Sequence, residues 1–163
     1  MLTYSRIVED IKKCEGRIIT LLVDNNIINN KFIDILTEYL SLEYKIEHNQ
    51  LLNVQEIKEK TIAFFNFDKN LDFIKMMGNN NVIMIIIRQD RVTHNMDLYG
   101  SKAYLADIIL IMINEKLKFL KNRYSESKLD GHLNINQLII DINVKLRGIK
   151  LKEINRLNLF DAQ

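Results

Sequence analysis

Residues 82 to 99 read VIMIIIRQDRVTHNMDLY, and this stretch carries the clearest secondary-structure signal in the chain. Its first part, Val82 to Ile87, is wholly apolar, which is typical of a strand that is covered on both faces. From Val92 to Tyr99, apolar and polar residues alternate, as they do in a strand with one wet face. With a turn at Gln89 to Arg91, the two runs predict an antiparallel β-hairpin over residues 82 to 99.

The segment after the hairpin is predicted to be a buried core helix. It spans residues 102 to 122, follows Gly100 and Ser101, and is apolar on nearly all sides over its first three turns. A helix that is apolar all round belongs in a core. Because an isolated hairpin is marginal in water, its strands need this helix, a third strand or a second subunit. A homodimer formed through the hairpin edge is therefore a further expectation.

The preceding residues, 1 to 78, are predicted to be mainly helical. Apolar residues from Tyr4 to Leu22 recur at three- and four-residue steps, which favours one helix from about Thr3 to Val23. A second helix is predicted through Phe32 to Glu43, with Asn30 as its N-cap.

The rest of this half is less uniform. Asn53 and Glu56 have capping-box spacing, which predicts the start of a third helix, and a short helix is expected over Leu71 to Met77. Residues 61 to 67, TIAFFNF, are rich in β-branched and aromatic side chains, so strand and helix both remain open there.

Residues 123 to 163 form a basic C-terminal region. Within it, Ile135 to Ile154 fits helical and strand periodicity alike, and its length favours a helix. The whole chain, 1 to 163, is thus expected to be one α+β domain. That domain would have a helical N-terminal half, an antiparallel β-hairpin followed by a buried helix, and a helical C-terminal region.

Composition excludes several classes of protein. The single cysteine, Cys14, excludes an internal disulfide and a cysteine zinc site, which favours a reducing, cytoplasmic location. No secretory or membrane-spanning segment is apparent, since the most apolar stretch is short and contains Asp107. His48, His94 and His132 are too widely separated to predict a metal site.

We also expect no cofactor and no catalytic activity. The chain has only 5 glycines, none of them clustered, so it lacks a phosphate-cradling loop and a nucleophile elbow. Cys14 lies on the apolar stripe of the first predicted helix, which favours a buried, unreactive thiol.

Positive charge is concentrated at the C-terminal end. Residues 1 to 115 carry 13 Lys and Arg against 16 Asp and Glu, whereas residues 116 to 163 carry 10 against 5. A patch of this kind can neutralise phosphates, although a solvated lysine-rich face would look the same. The candidate nucleic-acid-binding residues are Lys118, Lys121, Arg123, Lys145, Arg147, Lys150 and Lys152.

Part of this region resembles a helix-turn-helix motif. The resemblance rests on Gln137-Leu138, on Ile142-Asn143-Val144 and on Ile149, with departures at Ile139, where a small residue is usual, and at Asn143, where glycine is usual. It implies a turn near Asn143 and a recognition helix whose lysines and arginines approach DNA.

The C-terminal tail resembles the short peptide with which bacterial polymerases and repair factors dock on the sliding clamp. The tail reads Arg156-Leu157-Asn158-Leu159-Phe160-Asp161, and the clamp peptide is Gln-Leu-x-Leu-Phe, so Arg156 replaces the glutamine. The resemblance implies that Leu157, Leu159 and Phe160 bind the clamp. The simpler interpretation is that these three side chains fold back onto the core.

These patterns favour a non-catalytic binding or regulatory protein that contacts DNA or a DNA-bound host machine through its basic C-terminal third. The 19 Asn and 26 Ile are typical of an AT-rich genome, which suggests a phage or mobile-element origin. An inhibitor that binds the surface of a host replication or defence enzyme is the main alternative. A small enzyme with an unrecognised site is another.

Overall fold

The computed structural model describes residues 4–24, 26–48, 53–67, 71–88, 105–124 and 131–161. These residues form four α-helices and seven β-strands. A one-turn 3-10 helix, Val54–Glu56, lies between the second and third strands. The elements in chain order are α1 Tyr4–Lys12, β1 Ile18–Val23, α2 Ile27–Leu40, β2 Lys45–His48, β3 Thr61–Asn66, α3 Phe73–Met76, β4 Val82–Arg88, β5 Ala106–Ile113, β6 Lys116–Asn122, β7 His132–Asn134 and α4 Ile135–Asp161.

The strands form one mixed sheet in the order β2-β3-β4-β1-β5-β6-β7. Strands β1 to β5 pair parallel with one another, whereas β6 pairs antiparallel with both β5 and β7. β1 lies at the centre between β4 and β5, and all six of its residues are buried. Its sequence is apolar except for Thr20, as is typical of a strand covered on both faces.

Helices α1, α2 and α4 cover one face of the sheet, where Ile11, Phe32 and Ile142 join a large apolar cluster. The other face carries a smaller cluster, which includes Val54 from the 3-10 helix and Met76 from α3. The protein is therefore a mixed α and β structure whose sheet is buried from both sides.

The predicted N-terminal helix is wrong beyond Lys12, where α1 ends. Residues Ile18–Val23 are β1 instead. Gly16 lies between the two elements. Glycine suits this position because its φ is +75° and because a Cβ there would lie 2.7 Å from Asn80 Oδ1. An unbroken apolar run satisfies every period, so the three- and four-residue spacing could not distinguish this strand from a helix.

The predicted core helix over residues 102 to 122 is also wrong in its described part. Strands β5 and β6 occupy residues 106 to 122 and pair antiparallel. They are joined at Asn114 and Glu115, whose φ values of 51° and 61° suit a tight two-residue hairpin turn. The all-round apolar character of β5 reflects cover on both faces of the sheet, which sequence cannot distinguish from a buried helix.

The hairpin predicted at residues 82 to 99 is wrong as well. β4 is indeed a strand with both faces covered, but β1 and β3 occupy its two edges in parallel pairing. No edge of β4 remains for an antiparallel partner or for a second subunit. The predicted second strand, Val92 to Tyr99, lies outside the described residues, as does His94.

The remaining N-terminal predictions fare better. α2 is confirmed but begins at Ile27, with Asn26 as its N-cap, because the Asn29 amide donates to Asn26 Oδ1 over 2.8 Å. A helix is confirmed at α3, whereas only the one-turn 3-10 helix follows Asn53. The segment left open at residues 61 to 67 is β3 as far as Asn66.

The helix predicted over Ile135 to Ile154 is confirmed and continues to Asp161. It is uninterrupted at Asn143, so the turn implied by the helix-turn-helix resemblance is wrong. Ile142 and Leu146 lie one turn apart and are both buried, which makes the stretch a single helix packed on the sheet.

The interior of α4 offers a stability prediction at Gly148. This glycine lies inside the helix, and a Cβ added to it meets nothing within 4 Å. Gly148→Ala should stabilise the protein by about 0.5 to 1 kcal/mol, because alanine loses less backbone entropy in a helix. Urea unfolding followed by circular dichroism measures the change, and a lower midpoint for the variant would contradict an uninterrupted helix.

Candidate functional site

The structure does not bring all the predicted nucleic-acid-binding residues together. On β6, Leu117 and Phe119 point into the apolar cluster beneath α4. Lys118 alternates with them and therefore lies on the opposite face of the sheet. Lys121 lies there too, since it pairs with Ile109, which belongs to the cluster on that second face. These two lysines are separated from α4 by the sheet.

The other predicted cations divide into two groups. Lys145, Arg147, Lys150 and Lys152 are all exposed on α4, where Lys150 pairs with Glu38 of α2 at 3.0 Å. Arg123 lies just beyond β6 and interacts with Asp107. The predicted basic residues thus lie in three places: four on α4, two lysines of β6 on the other side of the sheet, and one arginine near the start of β5.

The last turns of α4 form the first candidate surface. Every residue from 150 to 158 is exposed, and we call this segment the exposed end of α4. It carries Leu151, Ile154 and Leu157, whose exposed fractions are 59 %, 53 % and 63 %. Ile140 and Val144 are exposed earlier on the same helix. α4 therefore holds five of the eight large apolar side chains that are exposed among the described residues.

Four of the five exposed apolar residues of α4 lie on a face distinct from its buried one, whereas Leu157 follows the buried Leu146 by eleven residues and lies on the same side of the helix as Leu146. Ile140, Val144, Leu151 and Ile154 follow one another at steps of four, seven and three residues, which keeps them on one side of a helix. The buried side is a different stripe, formed by Ile135, Leu138, Ile139, Ile142 and Leu146. Helical periodicity in the sequence indicated the buried stripe but not the exposed one.

The predicted clamp-binding tail belongs to the same helix. Leu157, Leu159 and Phe160 lie within α4, and Leu157 is 63 % exposed. The alternative interpretation, in which the tail folds back onto the core, is therefore wrong for Leu157. Clamp binding stays a prediction.

A second candidate site surrounds Asp107, whose side chain is only 3 % exposed. Arg17 donates to Asp107 Oδ1 from Nε at 3.0 Å and from Nη2 at 2.8 Å. Arg123 Nη1 reaches the same oxygen at 3.5 Å, and the Tyr124 hydroxyl donates to Oδ2. A bulge in the pairing of β1 with β5 lies beside Asp107. The buried carboxylate thus accepts hydrogen bonds from three side chains in two separate segments of the chain.

A neighbouring network joins α1 to β6. Asp10 is 2 % exposed and accepts a hydrogen bond from Asn122 Nδ2 at 2.8 Å. Asn122 Oδ1 in turn accepts from the Tyr124 amide at 3.0 Å. Cys14 is fully buried beside Tyr124 and donates weakly to the backbone oxygen of Asp10. These contacts fix the C-terminal part of α1 against the sheet.

The protonation states in this cluster favour a structural role. Burial and the nearby Asp107 carboxylate raise the pKa of the Cys14 thiol to about 12, so the thiol is neutral and a poor nucleophile. Burial and the hydrogen bond to Asp107 raise the pKa of Tyr124. Burial alone would raise the pKa of Asp107, but the donors from Arg17 and Tyr124 outweigh it and the net shift is downward. Asp107 is therefore a charged carboxylate that its neighbours stabilise, and Cys14 and Tyr124 remain protonated, as is typical of a structural cluster.

Sequence reasoning identified Cys14 as a buried thiol, which is confirmed, but it missed the cluster. Asp107 was visible as the one charged residue in an otherwise apolar run. A charge in such a run requires a buried partner or a helix surface, and the helical interpretation concealed the first possibility.

The connection between β1 and α2 is where a strand, loop and helix can bind phosphate. Here the Asn26 side chain already accepts the Asn29 amide, so that donor is not available to a ligand. Within the described segments, no group of three or more His, Cys, Asp or Glu side chains could hold a metal ion.

Searches against protein-family models, curated proteins and solved structures find no match for this chain. Among the helices of the described residues, none has the length and apolar content needed to span a membrane.

Proposed function

We propose that this protein is a non-catalytic binding protein that docks on an acidic surface of a partner protein through the exposed end of α4. The observation that supports this most strongly is the exposure of Leu151, Ile154 and Leu157 along one helix end. Exposed apolar side chains that cluster in this way are typical of interaction surfaces. An amphipathic helix is a common means of protein recognition.

The charges beside the apolar residues define the partner further. The exposed end of α4 carries Lys150, Lys152 and Arg156 but only one acid, Glu153. A partner that covers the apolar stripe and supplies carboxylates beside it would match both features. A second copy of the same helix end would instead bring like charges together, which disfavours self-association through α4.

Direct DNA binding accounts for fewer of the features. Phosphates would neutralise the lysines, but contacts to DNA are mostly polar and would leave Leu151, Ile154 and Leu157 without apolar cover. The lysines of β6 cannot add to such a site, because they lie on the other face of the sheet. We therefore favour a protein partner. Because the high Asn and Ile content suggests a phage or mobile-element origin, a host replication or defence protein is our candidate. Inhibition of that protein would use the same surface.

Leu151→Asp combined with Ile154→Asp is expected to abolish partner binding without unfolding the protein. The two carboxylates would stand against the acidic partner in place of apolar contacts, while the buried face of α4 is unchanged. The measurement is capture from host lysate by immobilised wild type and variant, with mass spectrometry of the retained proteins. We expect an acidic protein that the wild type retains, that rising salt weakens and that the variant loses.

Ile27→Asp is the matched control, since Ile27 is 86 % exposed but lies at the start of α2. This control should retain the partner as well as the wild type does. Equal capture by the α4 variant and the wild type would contradict the proposal. Binding of duplex DNA that is lost in Lys145→Glu with Arg147→Glu, but unaffected by Leu151→Asp with Ile154→Asp, would favour the DNA alternative instead.

A further inference from the structure

Arg17 and Arg123 are brought together by a single oxygen atom. Asp107 Oδ1 lies 2.8 Å from Arg17 Nη2 and 3.5 Å from Arg123 Nη1. Because both nitrogens contact the same oxygen, they are at most about 6.3 Å apart. Two guanidinium groups this close repel each other. The carboxylate between them holds the pair in place.

This arrangement leaves positive charge uncompensated. One carboxylate neutralises only one of the two guanidinium groups. The Asp107 side chain is 3 % exposed, whereas those of Arg17 and Arg123 are 36 % and 61 % exposed. The negative charge is thus buried beneath the pair, and the positive charge faces solvent. Arg17 uses two of its five N–H donors on Asp107 and Arg123 uses one, so seven donors have no acceptor among the described residues.

We infer that Arg17 and Arg123 form a binding site for a phosphate group, with Asp107 as the positioning residue beneath it. Guanidinium groups bind phosphate through paired N–H donors, and two of them can contact different oxygens of one phosphate. Asp107, which itself accepts a hydrogen bond from Tyr124, positions both guanidinium groups and so lowers the entropy that binding would otherwise cost. This site shares no residue with the exposed end of α4, so it is independent of the function proposed above.

Arg123→Gln is expected to weaken phosphate binding about tenfold or more, because it removes one charge and the paired donors. The full chain is titrated with pyrophosphate by calorimetry, and with a fluorescein-labelled single-stranded oligonucleotide by anisotropy. Lys145→Gln, which removes an equal charge from α4, should bind pyrophosphate within about twofold of wild type. Binding of pyrophosphate alone would identify a small phosphorylated ligand. Oligonucleotide binding that Arg123→Gln weakens would identify a nucleic-acid backbone.

The inference is overturned if the wild type binds neither probe. It is also overturned if the wild type and Arg123→Gln bind equally well. Melting temperatures of both variants check that they are folded. If Arg123→Gln is destabilised, Arg123→Lys keeps the charge but loses the paired donors. It should still weaken pyrophosphate binding at least threefold, and unchanged binding in this variant would count against the site.

Discussion

Asp107→Asn is expected to destabilise the fold by about 2 to 3 kcal/mol at pH 7, measured by urea unfolding. The substitution keeps the shape of the side chain but removes the charge that Arg17 and Arg123 share, and it weakens the hydrogen bond from Tyr124. A lowered pKa for Asp107 means that these interactions stabilise the carboxylate by more than burial destabilises it.

The same pKa shift predicts how the effect depends on pH. The pKa of Asp107 is lower in the folded state than its ordinary value of 3.8, so the carboxylate's contribution is complete above that value. It is lost as the pH falls through the lower pKa of the folded state. The difference between wild type and Asp107→Asn should consequently be constant from pH 5 to 7 and shrink below about pH 4.

The control for this experiment is Asp72→Asn. Asp72 is 52 % exposed and caps α3 by accepting the Lys75 amide, a bond that asparagine can also accept. Its effect should stay within about 0.5 kcal/mol. Similar small effects for both substitutions would show that the Asp107 cluster contributes little to stability.

Ile142→Ala should have a comparably large effect, about 2 to 4 kcal/mol of lost stability. Ile142 is 1 % exposed at the contact between α4 and the sheet, and its truncation leaves a cavity. Ile154→Ala on the exposed end of α4 should change stability by less than about 0.5 kcal/mol, since Ile154 is 53 % exposed.

This pair of variants tests which face of α4 is buried. Chemical denaturation of both proteins under identical conditions gives the comparison. If Ile154→Ala were as destabilising as Ile142→Ala, the exposed end would be packed against the fold, and the docking surface proposed for it would not exist.

Local sequence patterns were enough to identify the elements whose periodicity or length is distinctive. α4 was predicted because twenty residues are too many for a strand, and β4 because its apolar run ends at polar turn residues. α2 was predicted from its period and a nearby capping asparagine, although the N-cap is Asn26 and the helix therefore begins four residues earlier than expected. For the two helices, the backbone hydrogen bonds lie within a few residues of the chain, so a local pattern is enough to indicate them.

Local patterns failed for β1 and β5, where burial on both faces removes the periodic signal. β1 and β5 are almost wholly apolar, apart from Thr20 and Asp107, and such a sequence is shared by a core helix and a central strand. The register of the parallel sheet then decided the outcome, because β1 lies between β4 and β5 and forms hydrogen bonds to both. No local pattern encodes which distant strands become neighbours.

The two candidate surfaces differ in how far they depend on the tertiary structure. The amino-acid sequence alone determined that the C-terminal region is helical and basic and that Cys14 is buried, since charge and helical period are local properties. Only the tertiary structure decided that β6 places Lys118 across the sheet from α4, and that Arg17 and Arg123 meet at Asp107, 90 and 16 residues away. Contacts between such distant residues arise from the packing of the sheet, which brings together segments that the chain keeps apart.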